Sequence, residues 1–414
     1  MDSLDRILDE FTDPSSGSLH AATFIVVDIS GKTIYSRASG RTKTDIHSAE
    51  PLGLDALYWV ASMTKLVTAV SVMQLVERGV LSLDEDVRKR VPELANIQIL
   101  QGMTQGDSPG SMQPYFRIVQ GKITPRDLLC HTSGFIYDSS SDLLKEWSRS
   151  VGRSAHTFTG SMEGYAHPLL FEPGTSWGYG AGLDWAGRLI ENVCNCSLEE
   201  YMKENIWSKL GVTSSTFHPE LYPDSLPPKL RMANRVSVGQ GAKSIKAGSV
   251  ILGQPLNDDL GGIGLWSTPK DFIKLLTALL RDGEPLLTKD SLDILFRPRL
   301  SDASRAAMPL SLGSRMRDIL GIGSVNVIDQ ADHCLAGTIT LKDIPGRRPR
   351  GTVSWSGLPN LHWWIDPKTG ITATLFTQLL PPGDAAVTGL LIHLETALYK
   401  EIRDSESVSR RGKL

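Results

Sequence analysis

Ser62-Met63-Thr64-Lys65 places a hydroxyl and a primary amine three residues apart at the start of a segment patterned as a helix. Residues at i and i+3 share a helix face, so the two side chains can meet. A serine hydroxyl is a weak nucleophile until a neighbour takes its proton. A lysine takes it only where desolvation or a nearby positive charge lowers its pKa, and the apolar surroundings of this segment favour the first of these. Amides at the helix start then face the charge that develops on an attacked carbonyl oxygen. That chemistry is acyl transfer through a serine ester. The same four residues are equally compatible with a capping serine and an exposed lysine, so the motif does not decide by itself.

The helix that must carry the pair reads from Val60 to Arg78, with Gly79 closing it. Val67, Val70, Val72, Met73, Leu75 and Val76 are too many for one stripe, which predicts a largely buried helix. An N-terminal helix is expected over Leu4–Phe11. Thr23–Ile29 and Thr33–Ser36 flank the turn Ser30-Gly31-Lys32 as a hairpin. Thr124-Pro125-Arg126-Asp127 and Thr268-Pro269-Lys270-Asp271 each spell a helix start, with a capping threonine, proline at the first helical position and an acid in the first turn. The stretch from about Ser82 to Leu210 otherwise reads as helices and long loops, and residues 215–260 resist assignment. Thr352–Trp355, Leu361–Ile365 and Ile371–Thr377 read as three strands, Asp384–Arg403 as a closing helix, and 404–414 as a disordered polar tail. Strands at both ends with helices between them predict an α+β architecture. An antiparallel sheet built from both chain ends is flanked by helices, and a central helical lobe completes a cleft that holds the site. The expected organisation is one catalytic domain over 1–414, with an α/β lobe at 1–80 and 260–403 and a helical lobe at 81–259.

Composition narrows the partners. A formal net charge of −3 without long blocks of like charge does not imply nucleic acid. No apolar run approaches the roughly 18 residues that span a bilayer, and the acidic start Met1–Arg6 is not a secretory leader. Cys130, Cys194, Cys196 and Cys334 read as reduced thiols, since the lone C-x-C lacks the second pair of a zinc site. These readings predict a cytoplasmic protein with no metal or organic cofactor. Arg347-Arg348-Pro349-Arg350 reads as a solvated basic loop, with contact to a phosphopantetheine arm or an acidic carrier protein as the alternative. Tyr137, Trp266, Trp355, His362 and Trp363 are candidates for an apolar pocket wall, and each also suits a core position.

Around the Ser62–Lys65 pair, further blocks carry a resemblance. Trp59–Lys65, Glu77–Glu85, Leu128–Gly134, Pro173–Trp177 and Gly261–Thr268 resemble, in order, the serine β-lactamase, penicillin-binding-protein and esterase superfamily, especially its class C-like members. Tyr179–Gly187, and Pro359-Asn360 followed by Trp364–Lys368, are similar to fungal polyketide-tailoring acyltransferases of the lovastatin type. The resemblance implies a β-lactamase/transpeptidase-like fold in which Tyr179 shares the proton work with Lys65. The superfamily's Y-x-N is here Tyr179-Gly180-Ala181, and losing the asparagine removes a contact to substrate amides. Trp355-Ser356-Gly357 stands where the third motif is expected, which implies that the Leu358 and Ser62 amides form the oxyanion hole. Lys368-Thr369-Gly370 spells the β-lactamase K-T-G but follows Asp366-Pro367 between two strand-like runs, and reads as a hairpin turn. His131 is implied to be a structural hydrogen-bonder. The implied activity is ping-pong transfer from a thioester or ester donor, small or borne by an acyl carrier protein, to an alcohol of a secondary metabolite. Hydrolysis through the same acyl-enzyme, and a catalytically silent ligand-binding member, stay open at this point.

Overall fold

The structure, a computed structural model, describes residues 1–45, 47, 50–107, 111–236, 245–313 and 330–411. Five helices and seven strands build the frame of the site. In chain order they begin α1 (Asp2–Thr12), β1 (Ala21–Asp28), β2 (Thr33–Gly40), α2 (Thr64–Glu77), α3 (Gly182–Cys194) and α4 (Pro269–Leu280). They continue β3 (Ala331–His333), β4 (Thr338–Thr340), β5 (Val353–Gly357), β6 (Leu361–Asp366), β7 (Ile371–Phe376) and α5 (Ala385–Arg411).

The near-continuous apolar run of β1 follows from burial on both faces, because successive strand side chains alternate sides. Ala22, Phe24 and Val26 pack with Leu4 and Leu8 of α1 and with Leu390 and Leu394 of α5. Ile25 and Val27 join the other core, with Leu275, Leu276 and Leu279 of α4. The sheet order is β2-β1-β7-β6-β5-β4-β3, antiparallel throughout. Ile25 of β1 lies opposite Thr374 of β7, so both chain ends share one sheet, as their patterns suggested. Lys368-Thr369-Gly370 is the β6–β7 turn: the Gly370 amide donates to the Asp366 carbonyl at 3.0 Å and Gly370 has φ +71°.

Helix α2 is buried from Thr64 through Leu75. Burial of each Val, Leu or Met side chain contributes about 1.5–3 kcal/mol, which anchors the helix that carries Lys65. The chain enters α2 through a short 3-10 turn, Ala61–Met63, in which Ala61 has φ +47°. A non-glycine residue there costs about 1–2 kcal/mol. Fixings just before it hold it: Tyr58–Trp59 pairs with Trp266–Ser267, the Val60 amide donates to Leu265 O at 3.0 Å, and Trp59 Nε1 donates to Ile263 O at 2.7 Å.

Two expectations are corrected, and one unassigned stretch gains a strand. The stretch read as helices and loops contains a hairpin, Gln98–Gln105 with Met112–Ile118. A register shift between Leu100 and Gly102 breaks its two-residue period, and Tyr115, Phe116 and Ile118 are exposed, so no clean alternation marks it. The tail expected to be disordered is helical through Arg411, because extending a formed helix needs no new nucleus. Within 215–260, Ala233–Arg235 forms a strand between Leu379–Leu380 and Ile245–Ala247. Among the described residues no helix is long and apolar enough to cross a membrane.

Candidate active site

The three-residue spacing at the start of α2 brings the pair together as expected: Lys65 Nζ lies 3.3 Å from Ser62 Oγ. Tyr179 Oη reaches the same oxygen at 2.7 Å. Both Ser62 and Lys65 are buried. Lys65 Nζ also donates to Tyr137 Oη at 3.0 Å and to the Gly262 carbonyl at 2.7 Å, and lies 4.8 Å from the centre of the Tyr179 ring.

Tyr179 is placed by close backbone approach. Neither Gly178, Gly180 nor Gly182 has a positive φ. A Cβ on Gly180 would instead meet Phe135 O at 2.2 Å, and one on Gly182 would meet Leu128 O at 2.3 Å. The glycines let the Tyr179 loop lie against the backbone at Leu128 and Phe135. The ring then sits among His131, Trp355 and Tyr137 at centroid distances of 4.7, 5.4 and 5.5 Å. His131 caps the helix Pro125–Cys130 at φ +60° and accepts the Gly180 amide at Nδ1, 3.4 Å away. Burial drives its pKa well below the usual imidazole range, so it is a neutral scaffold.

Strand β5 closes the other side. A Cβ on Gly357 would fall 2.4 Å from Val60 O, so the strand end presses on the turn that carries Ser62. Two cavities meet at Ser62, Tyr179 and Leu358. One, of about 60 Å³, is lined by Trp355, Ser356, Gly357 and His362. The other, of about 580 Å³, is lined by Tyr137, Phe158, Ile251, Ile263 and Leu380. The expected wall residues Tyr137, Trp355 and His362, and Ser356 and Gly357 of the expected third motif, therefore line the cavities. Trp266 and Trp363 do not: both are buried in the core, Trp266 opposite Trp59 with the Lys229 ammonium 5.0 Å from its ring. The solvated reading of the basic loop is also corrected at two positions, because half-buried Arg347 and buried Arg348 pair with Glu395 at 2.5 and 2.9 Å.

The sequence reading missed Asp184. It sits in the first turn of α3 without exposed surface, accepting the Gly262 amide at 2.8 Å and the Tyr137 hydroxyl at 3.2 Å. Burial pushes its pKa up to about 6, against the pull of Lys65. A charged residue in the apolar run Gly182-Leu183-Asp184-Trp185-Ala186 was the available signal. Among the described residues, Glu199, His218 and Asp259 could hold a metal by proximity. Their donor atoms are engaged by the protein: Glu199 by Thr216, Phe217 N and Lys203, and Asp259 by His218 and Glu199 N.

A hydroxyl, an amine and a phenol converging at the junction of two cavities suit nucleophilic acyl chemistry. Comparison with known proteins agrees. A family model described as Beta-lactamase matches residues 4–397. Monacolin J acid methylbutanoyltransferase of Aspergillus terreus is 33% identical over 392 residues, covering 93% of each chain. Lovastatin esterase of Penicillium rubens is 31% identical over 370 residues, covering 89% of this chain and 91% of that one. The solved structure of a simvastatin synthase mutant from Aspergillus terreus superposes with a TM-score of 0.84 at 30% identity, covering 97% of this chain and 95% of the other.

Proposed function

Because the chain belongs to the β-lactamase family, we propose that it is a serine acyltransferase in which Ser62 is the nucleophile and Lys65 with Tyr179 exchanges its proton. The observation that carries this is the approach of Tyr179 Oη and Lys65 Nζ to Ser62 Oγ at 2.7 and 3.3 Å where the two cavities join. Ser62 Oγ gives its proton to the pair and attacks the carbonyl of a thioester or ester. The carbonyl oxygen becomes negative and is held by the Ser62 and Leu358 amides. The bond to the leaving group breaks, and that group departs with the proton. An acceptor alcohol then enters, loses its proton to the same pair and attacks the acyl-enzyme, which frees Ser62 and releases the new ester. The large apolar cavity supports an acceptor of secondary-metabolite size. The relatives that are acyltransferases support transfer as the principal reaction.

Hydrolysis is the second reading, favoured by the similarity to an esterase. Water then replaces the alcohol in the second half-reaction. Four cysteines without a disulfide support a reducing, cytoplasmic setting. The test is product analysis on p-nitrophenyl butyrate with and without an added secondary alcohol. Transfer predicts a new ester that grows with alcohol concentration. Free butyrate as the sole product at every alcohol concentration favours hydrolysis, and full turnover by Ser62→Ala overturns both.

A further inference from the structure

Asp184, Tyr137, Lys65 and the Gly262 peptide close a ring of hydrogen bonds beneath the nucleophile. Asp184 Oδ2 accepts Tyr137 Oη at 3.2 Å, and Tyr137 Oη accepts Lys65 Nζ at 3.0 Å. Lys65 Nζ donates to Gly262 O at 2.7 Å, and Gly262 N returns to Asp184 Oδ1 at 2.8 Å. The carboxylate has no exposed surface. A packing role alone would be served by an apolar side chain, since burying a carboxylate is costly without compensation. The ring also dictates its neighbour: a Cβ on Gly262 would lie 2.3 Å from Asp184 Oδ2. Four segments far apart in sequence thus agree on one placement of the Lys65 amine.

We propose that Asp184 is a positioning residue that, through Tyr137 and the Gly262 peptide, fixes the Lys65 amine against Ser62 and biases its proton exchange. This rests on the acyl-enzyme reading above. The titratable groups around the carboxylate are Lys65 from α2, Tyr137 from the start of the 3-10 turn Asp138–Ser140, and Tyr165 from the 3-10 turn Met162–Tyr165. Tyr179 stands behind Tyr137 at a ring distance of 5.5 Å. Burial, reinforced by the Asp184 charge, pushes the Tyr137 and Tyr165 hydroxyls well above their usual pKa, so both stay protonated near neutrality. The charge of the network therefore lies on its Lys65 and Asp184 ends, which Tyr137 joins.

The test is single-turnover acylation by p-nitrophenyl butyrate, across about pH 5 to 9, in the wild type, Asp184→Asn, Tyr137→Phe and the double variant. Removing the negative charge disfavours the protonated network. The pH limb that reports its deprotonation should move about one unit lower, as for loss of a nearby opposite charge. Loss of the amine's placement should cut the plateau rate about 10- to 100-fold, with KM changed much less than kcat. Tyr137→Phe should shift the limb the same way, and the double variant should be no worse than the worse single. An Asp184→Asn enzyme with the wild-type plateau and limb overturns the proposal. Should that variant not fold, a wild-type limb in Tyr137→Phe overturns it equally. A wild type that forms no acyl-enzyme defeats the parent reading instead, which separates the two failures.

Discussion

Replacing Tyr179 by Phe deletes one oxygen and little else. The ring is held on its faces and edges by His131, Trp355 and Tyr137, at centroid distances of 4.7, 5.4 and 5.5 Å, and phenylalanine fills the same space. What disappears is the hydroxyl 2.7 Å from Ser62 Oγ. If that hydroxyl carries the proton between Ser62 and the leaving group, its loss removes a general acid–base contribution of about 10²–10⁴-fold. That is about 2.7–5.4 kcal/mol on the acylation barrier. The stability change should be far smaller, about 1 kcal/mol for one part-exposed hydrogen bond. The two effects are separated by stopped-flow release of p-nitrophenol, which isolates acylation, and by urea denaturation of the same preparation. Acylation within about threefold of the wild type would reduce Tyr179 to a wall residue and leave Lys65 as the sole base. A stability loss above about 3 kcal/mol would instead show that the ring had moved and that the aromatic packing had been misjudged.

Gly357→Ala places a methyl 2.4 Å from Val60 O. It should cost about 1–3 kcal/mol of stability from overpacking and, by moving the Leu358 amide, about 10²–10³ in acylation rate; unchanged kinetics would remove Leu358 from the oxyanion hole. Glu395→Ala removes a carboxylate partner of half-buried Arg347 and buried Arg348 and should cost about 3–5 kcal/mol in urea melts, while acylation per folded molecule stays unchanged. Burial pushes the Asp184 carboxyl up to about 6, above its ordinary 3.8. Its folded state therefore holds a proton more tightly than the unfolded chain. Relative to the isosteric Asp184→Asn, the wild type should gain about 2.4 kcal/mol as pH falls from about 7 to about 4. Equal pH slopes in the two proteins would contradict that burial effect.

Local chemistry made part of this site readable. Ser62 and Lys65 belong to one helical turn, and the threonine caps that start the helices at Pro125 and Pro269 are written in four consecutive residues. Strands β5, β6 and β7 announced themselves by apolar content because the sheet is covered on both faces. Properties decided by long-range packing were less legible. Trp266 and Trp355 are the same residue type in similar surroundings, yet one pairs with Trp59 in the core and the other lines the cavity at Ser62. Arg347 and Arg348 looked like a solvated loop because their partner, Glu395, lies nearly fifty residues away on α5. The Asp184–Tyr137–Lys65 link joins three segments, and no spacing rule within any one of them encodes it.

The central claim is a covalent ester on Ser62. Intact-mass measurement after brief exposure to a panel of acyl thioesters, free and carrier-borne, tests it most directly, with peptide mapping of any adduct. The expected result is a single added acyl mass, located on the peptide that contains Ser62, removed by an acceptor alcohol and absent from Ser62→Ala. An adduct of the same mass that persists in Ser62→Ala, or turnover of a thioester by that variant at the wild-type rate, would contradict the assignment.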